Sequence, residues 1–173
     1  MTRRLFLSSL CLAALAFAAL TGCGHYQLGT DAQPGFSTLY IEPVQNKTLL
    51  PQAHAVIGTQ VRAAFERDGR VTLVASPEAA DATLRLSVRD YHRDVTSVQE
   101  ADTALARKLT LTLAVDCTLR DRRTGQALFT ERTITSQRDA FVDGGQLQSE
   151  YQTLPLLAEA LAKKVAHTVL DVW

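Results

Sequence analysis

KLTLTLAVDCTLR, Lys108 to Arg120, decides how this chain folds. Leu109, Leu111, Leu113, Val115, Cys117 and Leu119 take every odd position, and the even positions are mostly polar. A strict period of two is the mark of a strand with one packed and one polar face. Just downstream, DRRTG (Asp121 to Gly125) is a turn cluster, and Ala127 to Gln137 resumes with Phe129, Thr133 and Ile134. That pairing predicts an antiparallel hairpin. Upstream, Leu84, Leu86 and Val88 alternate with Thr83, Arg85 and Ser87, so Ala82 to Val88 is expected to be a further half-buried strand.

Helical spacing replaces alternation on both flanks. Val56, Ile57, Val61, Ala64 and Phe65 predict a helix from about Ala53 that stops at Asp68-Gly69, where glycine can take the left-handed terminal conformation. The chain is then released into a strand at Val71 to Val74. Ser37 to Val44 reads as a first strand limited by Pro43. At the other end Leu154, Leu157, Ala158, Leu161, Val165, Val169 and Val172 trace the stripe of a long amphipathic helix. The expected fold is α+β: two helices packed on one face of a mixed, mostly antiparallel sheet, in the order β-α-β-β-β-β-α.

The N-terminus carries a different signal. Arg3 and Arg4 precede an uncharged run, Leu5 to Leu20, that is short for a spanning helix and fits a secretory leader. It ends in Leu20-Thr21-Gly22-Cys23, which resembles the lipobox of bacterial lipoproteins. Cleavage before Cys23 would leave a diacylglycerol-modified first residue, and two or more acyl chains hold a protein stably on a membrane. The expected organisation is a leader over 1–22, a lipidated tether over 23–36 and a single periplasmic domain over 37–173. The 151 residues beyond position 22 are enough for one self-supporting core.

Composition narrows the function. With 18 Lys+Arg against 18 Asp+Glu the chain has no formal charge, which removes the simplest basis for nucleic-acid binding. The leader takes two Arg and no acid with it. Of three cysteines, Cys11 falls in the leader and Cys23 is the acylation site, so Cys117 has no intramolecular partner, and its place on the packed face suggests an inert thiol. His25, His54, His92 and His167 show no metal-ligand spacing, and neither a nucleophile elbow nor a glycine-rich phosphate loop occurs. Asp90 with Asp94, or Asp139 with Asp143, read as solvated loop acids. No catalytic, metal or cofactor site is expected.

Cations are the remaining candidates. Arg85 and Arg89 share a polar face, Arg93 lies beyond it, and Arg107 and Lys108 open the next strand. Strand-loop-strand geometry would bring them together at one sheet end as a strip for phosphorylated amphiphiles. The other reading is surface charge paired with Glu100, Asp90 and Asp94.

Several short pieces, in order, carry a family resemblance: CGHYQL from Cys23 to Leu28, IEPVQNKT from Ile41 to Thr48, FERDGRV from Phe65 to Val71, Ala80-Asp81-Ala82, and LRDRRTGQALF from Leu119 to Phe129. Together they resemble the lipopolysaccharide-assembly lipoprotein family, LptE. The resemblance implies an outer-membrane lipoprotein at the periplasmic face. It would be plug and assembly partner of the β-barrel translocon LptD and would contact lipopolysaccharide, with Arg93, Arg107 and Lys108 in an expected contact region. Gly24, rather than Asp, after the cysteine agrees with outer-membrane sorting. The competing expectation is another outer-membrane lipoprotein on a similar scaffold, a cell-wall synthase activator or a curli-type secretion component.

Overall fold

The computed structural model describes residues 34–98, 106–142 and 145–171, with the backbone alone at 97, 98, 106 and 107. The leader, Cys23 and the tether up to residue 33, as well as Glu100, Asp143 and Val172, lie outside the described residues. By its internal contacts the chain divides into Met1–Asp31 and Ala32–Trp173, and all that follows concerns the second unit.

The elements run β1 (Thr38–Ile41), β2 (Gln45–Asn46), α1 (Ala53–Asp68), β3 (Thr72–Leu73), a short 3-10 turn at Pro77–Ala79, β4 (Ala82–Val98), β5 (Ala106–Asp121), β6 (Ala127–Phe141) and α2 (Gln146–Leu170). The sheet order is β3-β1-β4-β5-β6, with β2 also on β4. β1 pairs parallel with β3 and β4, β2 pairs parallel with β4, and β4-β5-β6 form a long antiparallel meander. The expected α+β architecture is therefore present, with the two-residue β2 added to it.

The alternation of β5 is realised in full. Leu111, Leu113, Val115, Cys117 and Leu119 are completely buried under the helices, and Leu109 almost so. The α1 stripe of Ala53, Ile57, Val61, Ala64 and Phe65 and the α2 stripe of Leu157, Ala158, Leu161, Ala162, Val165 and Val169 join them in one core. Gly69, at φ 75°, ends α1 and donates its N–H to the Phe65 carbonyl at 3.1 Å. Burial raises the Cys117 thiol to about 12, aided by the neighbouring Asp116 charge, which keeps the sulfur protonated.

Three elements run further than their sequence pattern suggests. β4 continues ten residues past Val88, because Arg89 is an extra residue: Val88 faces Val115 and Asp90 faces Ala114. The bulge moves the core-facing positions from even to odd numbers, so Tyr91 and Arg93, opposite Leu113 and Leu111, now face the helices. β6 has its own bulge, where Glu131 sits at φ 47° and donates its N–H to Thr118 Oγ1 at 3.1 Å. α2 begins at Gln146, eight residues before Leu154, where the stripe starts, and holds Pro155 inside it.

Where the chain enters the domain it is clamped. Asp81 Oδ2 accepts the N–H of Ser37 at 3.0 Å and of Thr38 at 2.9 Å, while the Asp81 N–H donates to Thr38 Oγ1 at 2.8 Å. The bond from the Thr38 amide, then the Thr38 hydroxyl and the Ser37 amide, hold the Asp81 carboxyl below the usual aspartate range. A depressed carboxyl stabilises the fold above the unfolded pKa of about 3.9, and that contribution disappears as pH falls through the folded value. Asp81→Asn is expected to lower the melting temperature at pH 7. As pH falls below the unfolded carboxylate value of about 3.9 the gap to the parent should narrow in thermal melts of the two proteins side by side.

Candidate functional site

The helices cover one face of the sheet. The other face presents the odd side of β6 from Thr133 onward, the even side of β5 and, across the bulge, Arg85, Ser87, Arg89, Asp90, His92 and Asp94 of β4. It is rich in threonine, carboxylates and arginine, which suit an extended strand exposed on one side.

On this face each described cation of the predicted strip meets a carboxylate. Arg85 Nε lies 2.8 Å from Glu42 Oε2. Arg89 donates to Thr133 Oγ1 at 3.1 Å and stands 3.6 Å from Asp116, to which the Thr133 hydroxyl donates in turn at 2.7 Å, so one network spans three strands. Lys108 Nζ lies 2.8 Å from Asp139, which also accepts from Thr110 Oγ1 at 2.9 Å. The Lys108 bond, then that of Thr110, hold the Asp139 carboxyl below its ordinary range.

Arg93 is separated from the others by the bulge. Its Nη1 lies 3.1 Å from Glu150 Oε1 on α2, and the Glu150 carboxylate also accepts from Tyr91 Oη at 3.2 Å and Gln146 Nε2 at 3.0 Å. The Glu150 side chain is only 12% exposed. Burial, and then the Glu150 charge, push the Tyr91 phenol up to about 12.

The strip is therefore spread out. From the Arg85 pairing at Thr118 to Lys108 is ten residues of β5, about 33 Å. Arg93 faces the helices, and the Arg107 side chain lies outside the described residues. The carboxylate partners are Glu42, Asp116, Glu150 and Asp139 rather than Asp90 and Asp94, which instead flank His92 at 2.8 and 3.4 Å. Near Arg85 a polar hollow of about 290 Å³ brings in Lys47 and Arg120. Sequence reasoning passed over both, although Arg120 closes the even side of β5 and belongs to the same face as Lys108.

These features define a class: a small α+β domain with one helix-covered and one open polar sheet face. The sequence matches the family model for LptE, lipopolysaccharide assembly, over residues 36–171. The chain belongs to that family, whose members are non-enzymatic lipoproteins of lipopolysaccharide assembly. No curated protein matches the chain significantly. Among solved structures, a Xanthomonas campestris protein of the DUF330 family superposes with TM-score 0.61 at 15% identity, covering 81% of this chain and 86% of that one. A minor lipoprotein of Acinetobacter baumannii gives 0.52 at 18% identity, covering 77% and 91%. The uncharacterised lipoprotein B of Nitrosomonas europaea gives 0.52 at 16%, covering 84% and 88%. At these identities the likeness is one of fold. Among the described residues no helix is long and apolar enough to cross a membrane.

The two kinds of arginine should respond differently to removal. Arg93→Ala strips a nearly buried carboxylate of its cation and is expected to destabilise the protein by about 1 kcal/mol. Arg85→Ala loses an exposed pair and should leave the denaturation midpoint where it was. Urea titrations of both variants against the parent measure the difference.

Proposed function

We propose that the protein is an outer-membrane lipoprotein, acylated at Cys23 after removal of residues 1–22, that seats its domain against the β-barrel translocon LptD as plug and assembly partner. The observation that carries this reading is the family match across the whole described domain. The open sheet face supports it physically. Barrel interiors are polar, and a sheet face of threonine, arginine and aspartate can trade hydrogen bonds with such a wall, where Arg85, Arg89 and Lys108 would enter the contact already paired with carboxylates. A lipid tether would hold the domain at high effective concentration beside a barrel in the same membrane, and no chemical step is required.

Affinity purification of the lipidated protein from native outer membrane should recover a large β-barrel in a fixed ratio. Cys23→Ser should move the protein out of the membrane fraction and reduce barrel recovery at least about tenfold, because two acyl chains dominate membrane retention. Recovery of a peptidoglycan synthase, or an unmodified Cys23 sulfur by mass spectrometry, would overturn the proposal.

Contact with lipopolysaccharide is assigned to the cationic positions, chiefly Arg107 and Lys108, with Arg85, Arg89 and Arg93 along β4. Phosphate binding by paired charge-assisted hydrogen bonds requires that Asp139 yield Lys108 to the ligand. The double variant Arg107→Glu, Lys108→Glu is expected to weaken lipopolysaccharide binding about tenfold or more at low salt while the circular dichroism spectrum stays unchanged. Equal binding by parent and variant would return these residues to the role of solvated surface charge.

A further inference from the structure

The sheet has two long edges, and they are finished differently. Along β6 the outward backbone groups are those of the odd residues, and α2 reaches over to cap two of them: Lys164 Nζ donates to the Thr135 carbonyl at 2.8 Å, and Ser149 Oγ to that of Phe141 at 2.7 Å. Such side-chain caps keep an edge from pairing with another chain.

β4 differs. Its lower half is paired with β1 and β2, the last bond being the Lys47 N–H to the Val88 carbonyl at 3.0 Å. There the Asn46 side chain, accepting from the Thr48 N–H at 3.0 Å and donating to the Leu50 carbonyl at 2.8 Å, turns the chain away from the sheet. Above that point the antiparallel register makes Tyr91, Arg93 and Val95 the residues whose backbone groups face away from β5. Among the described residues no strand lies beside them.

The space next to this edge is apolar. Leu50, Pro51, Tyr91, Leu147, Tyr151 and Leu154 line a groove of about 180 Å³ between β4 and the start of α2. A dry cavity of about 150 Å³ is enough to hold benzene. Leu147 and Tyr151 on its rim are 83% and 68% exposed, and Val95 on the edge 59%. On the opposite side of the same edge stand the exposed carboxylates Asp90 and Asp94.

We propose that the β4 edge from Tyr91 to Val95 and the adjoining groove dock an extended segment of a partner protein. The segment adds as a further strand, with one large apolar side chain in the groove and basic side chains opposite Asp90 and Asp94. A row of outward backbone donors and acceptors is complementary to another backbone, and a side pocket selects alternate residues of the added strand. The chain's own tether enters at the other end of the sheet, where Gly35 and Phe36 lie beside Asp81 and Asp121, about 27 Å along β5 from Tyr91 by the pairing of Ala82 with Asp121 and of Tyr91 with Leu113. A second copy is disfavoured by charge: antiparallel self-pairing centred on Arg93 opposes two guanidiniums, and centred on His92 it opposes Asp90 and Asp94. The inference goes beyond the barrel reading and holds whichever membrane protein supplies the strand.

Hydrogen exchange of the full-length lipidated protein tests it, comparing native outer-membrane vesicles with the same protein extracted alone in detergent. The peptide covering residues 89–96 should retain three amides, those of Tyr91, Arg93 and Val95, that exchange at least about tenfold more slowly in the vesicles. Val95→Pro removes an outward donor that the fold does not use, and Leu147→Glu places a charge on the groove rim. Either should abolish the extra protection while leaving the exchange of β5 unchanged. Equal exchange in the two preparations overturns the proposal, as does protection that grows with concentration in the isolated protein, which would identify a second copy. Barrel recovery is scored separately. A recovered barrel with fast exchange at 91–95 sinks this inference alone, whereas slow exchange in vesicles from which no barrel co-purifies with the protein sinks the barrel reading and leaves this one standing.

Discussion

Burial of the odd face of β5 is the constraint on which the rest depends. Each fully buried leucine there contributes about 2 kcal/mol relative to exposure, so the row from Leu109 to Leu119 is comparable to the total stability of about 5–15 kcal/mol expected for a domain. A slip of one residue would turn the whole row to solvent and bring Lys108, Asp116 and Arg120 under the helices. Register along β4 and β6 follows from that of β5, because both pair with it over most of their length. The helices then have one place to go, and the opposite face is left for contact with something else.

What is left is a surface on which the cations of the strip are settled locally. Arg85, Arg89 and Lys108 each have a carboxylate within 3.6 Å, so these three positions offer hydrogen-bonding groups without an unneutralised cation. Such a face suits contact with a polar wall better than long-range capture of a polyanion, whose attraction would depend on unneutralised cations and fade with salt. A phosphorylated ligand must displace an existing partner at every described position of the strip, which makes the carboxylates as much a determinant of binding as the cations.

The sequence was legible where one period held without interruption. β5, the two helix stripes and the 121–125 turn could all be read, because each is a single repeating pattern bounded by turn or glycine signals. β2 escaped because two residues carry no period. The first two turns of α2 escaped because their exposed Leu147 and Tyr151 do not join the buried stripe and because Pro155 resembles a helix start. The placement of the cations was misjudged for a related reason: a charged run, Arg89 to Asp94, follows the last alternating leucine and looks like a loop, so Arg93 was placed beyond the strand.

The run does hold a readable sign in its change of phase. Apolar positions are even through Val88 and odd from Tyr91 through Val95, and a continuous strand can reconcile the two only by inserting one residue. Without that insertion Asp90, His92 and Asp94 would turn to the α2 side, where the two carboxylates would stand against Glu150 and the apolar groove in place of Tyr91 and Arg93. By taking the extra position Arg89 places Tyr91 and Arg93 against Glu150, leaves the acids in water on the other side, and gives the upper half of β4 one apolar and one acidic flank. The edge character of that half strand therefore follows from a single inserted residue in a pattern set by β5, and the same insertion separates Arg93 from the cations with which it is contiguous in sequence.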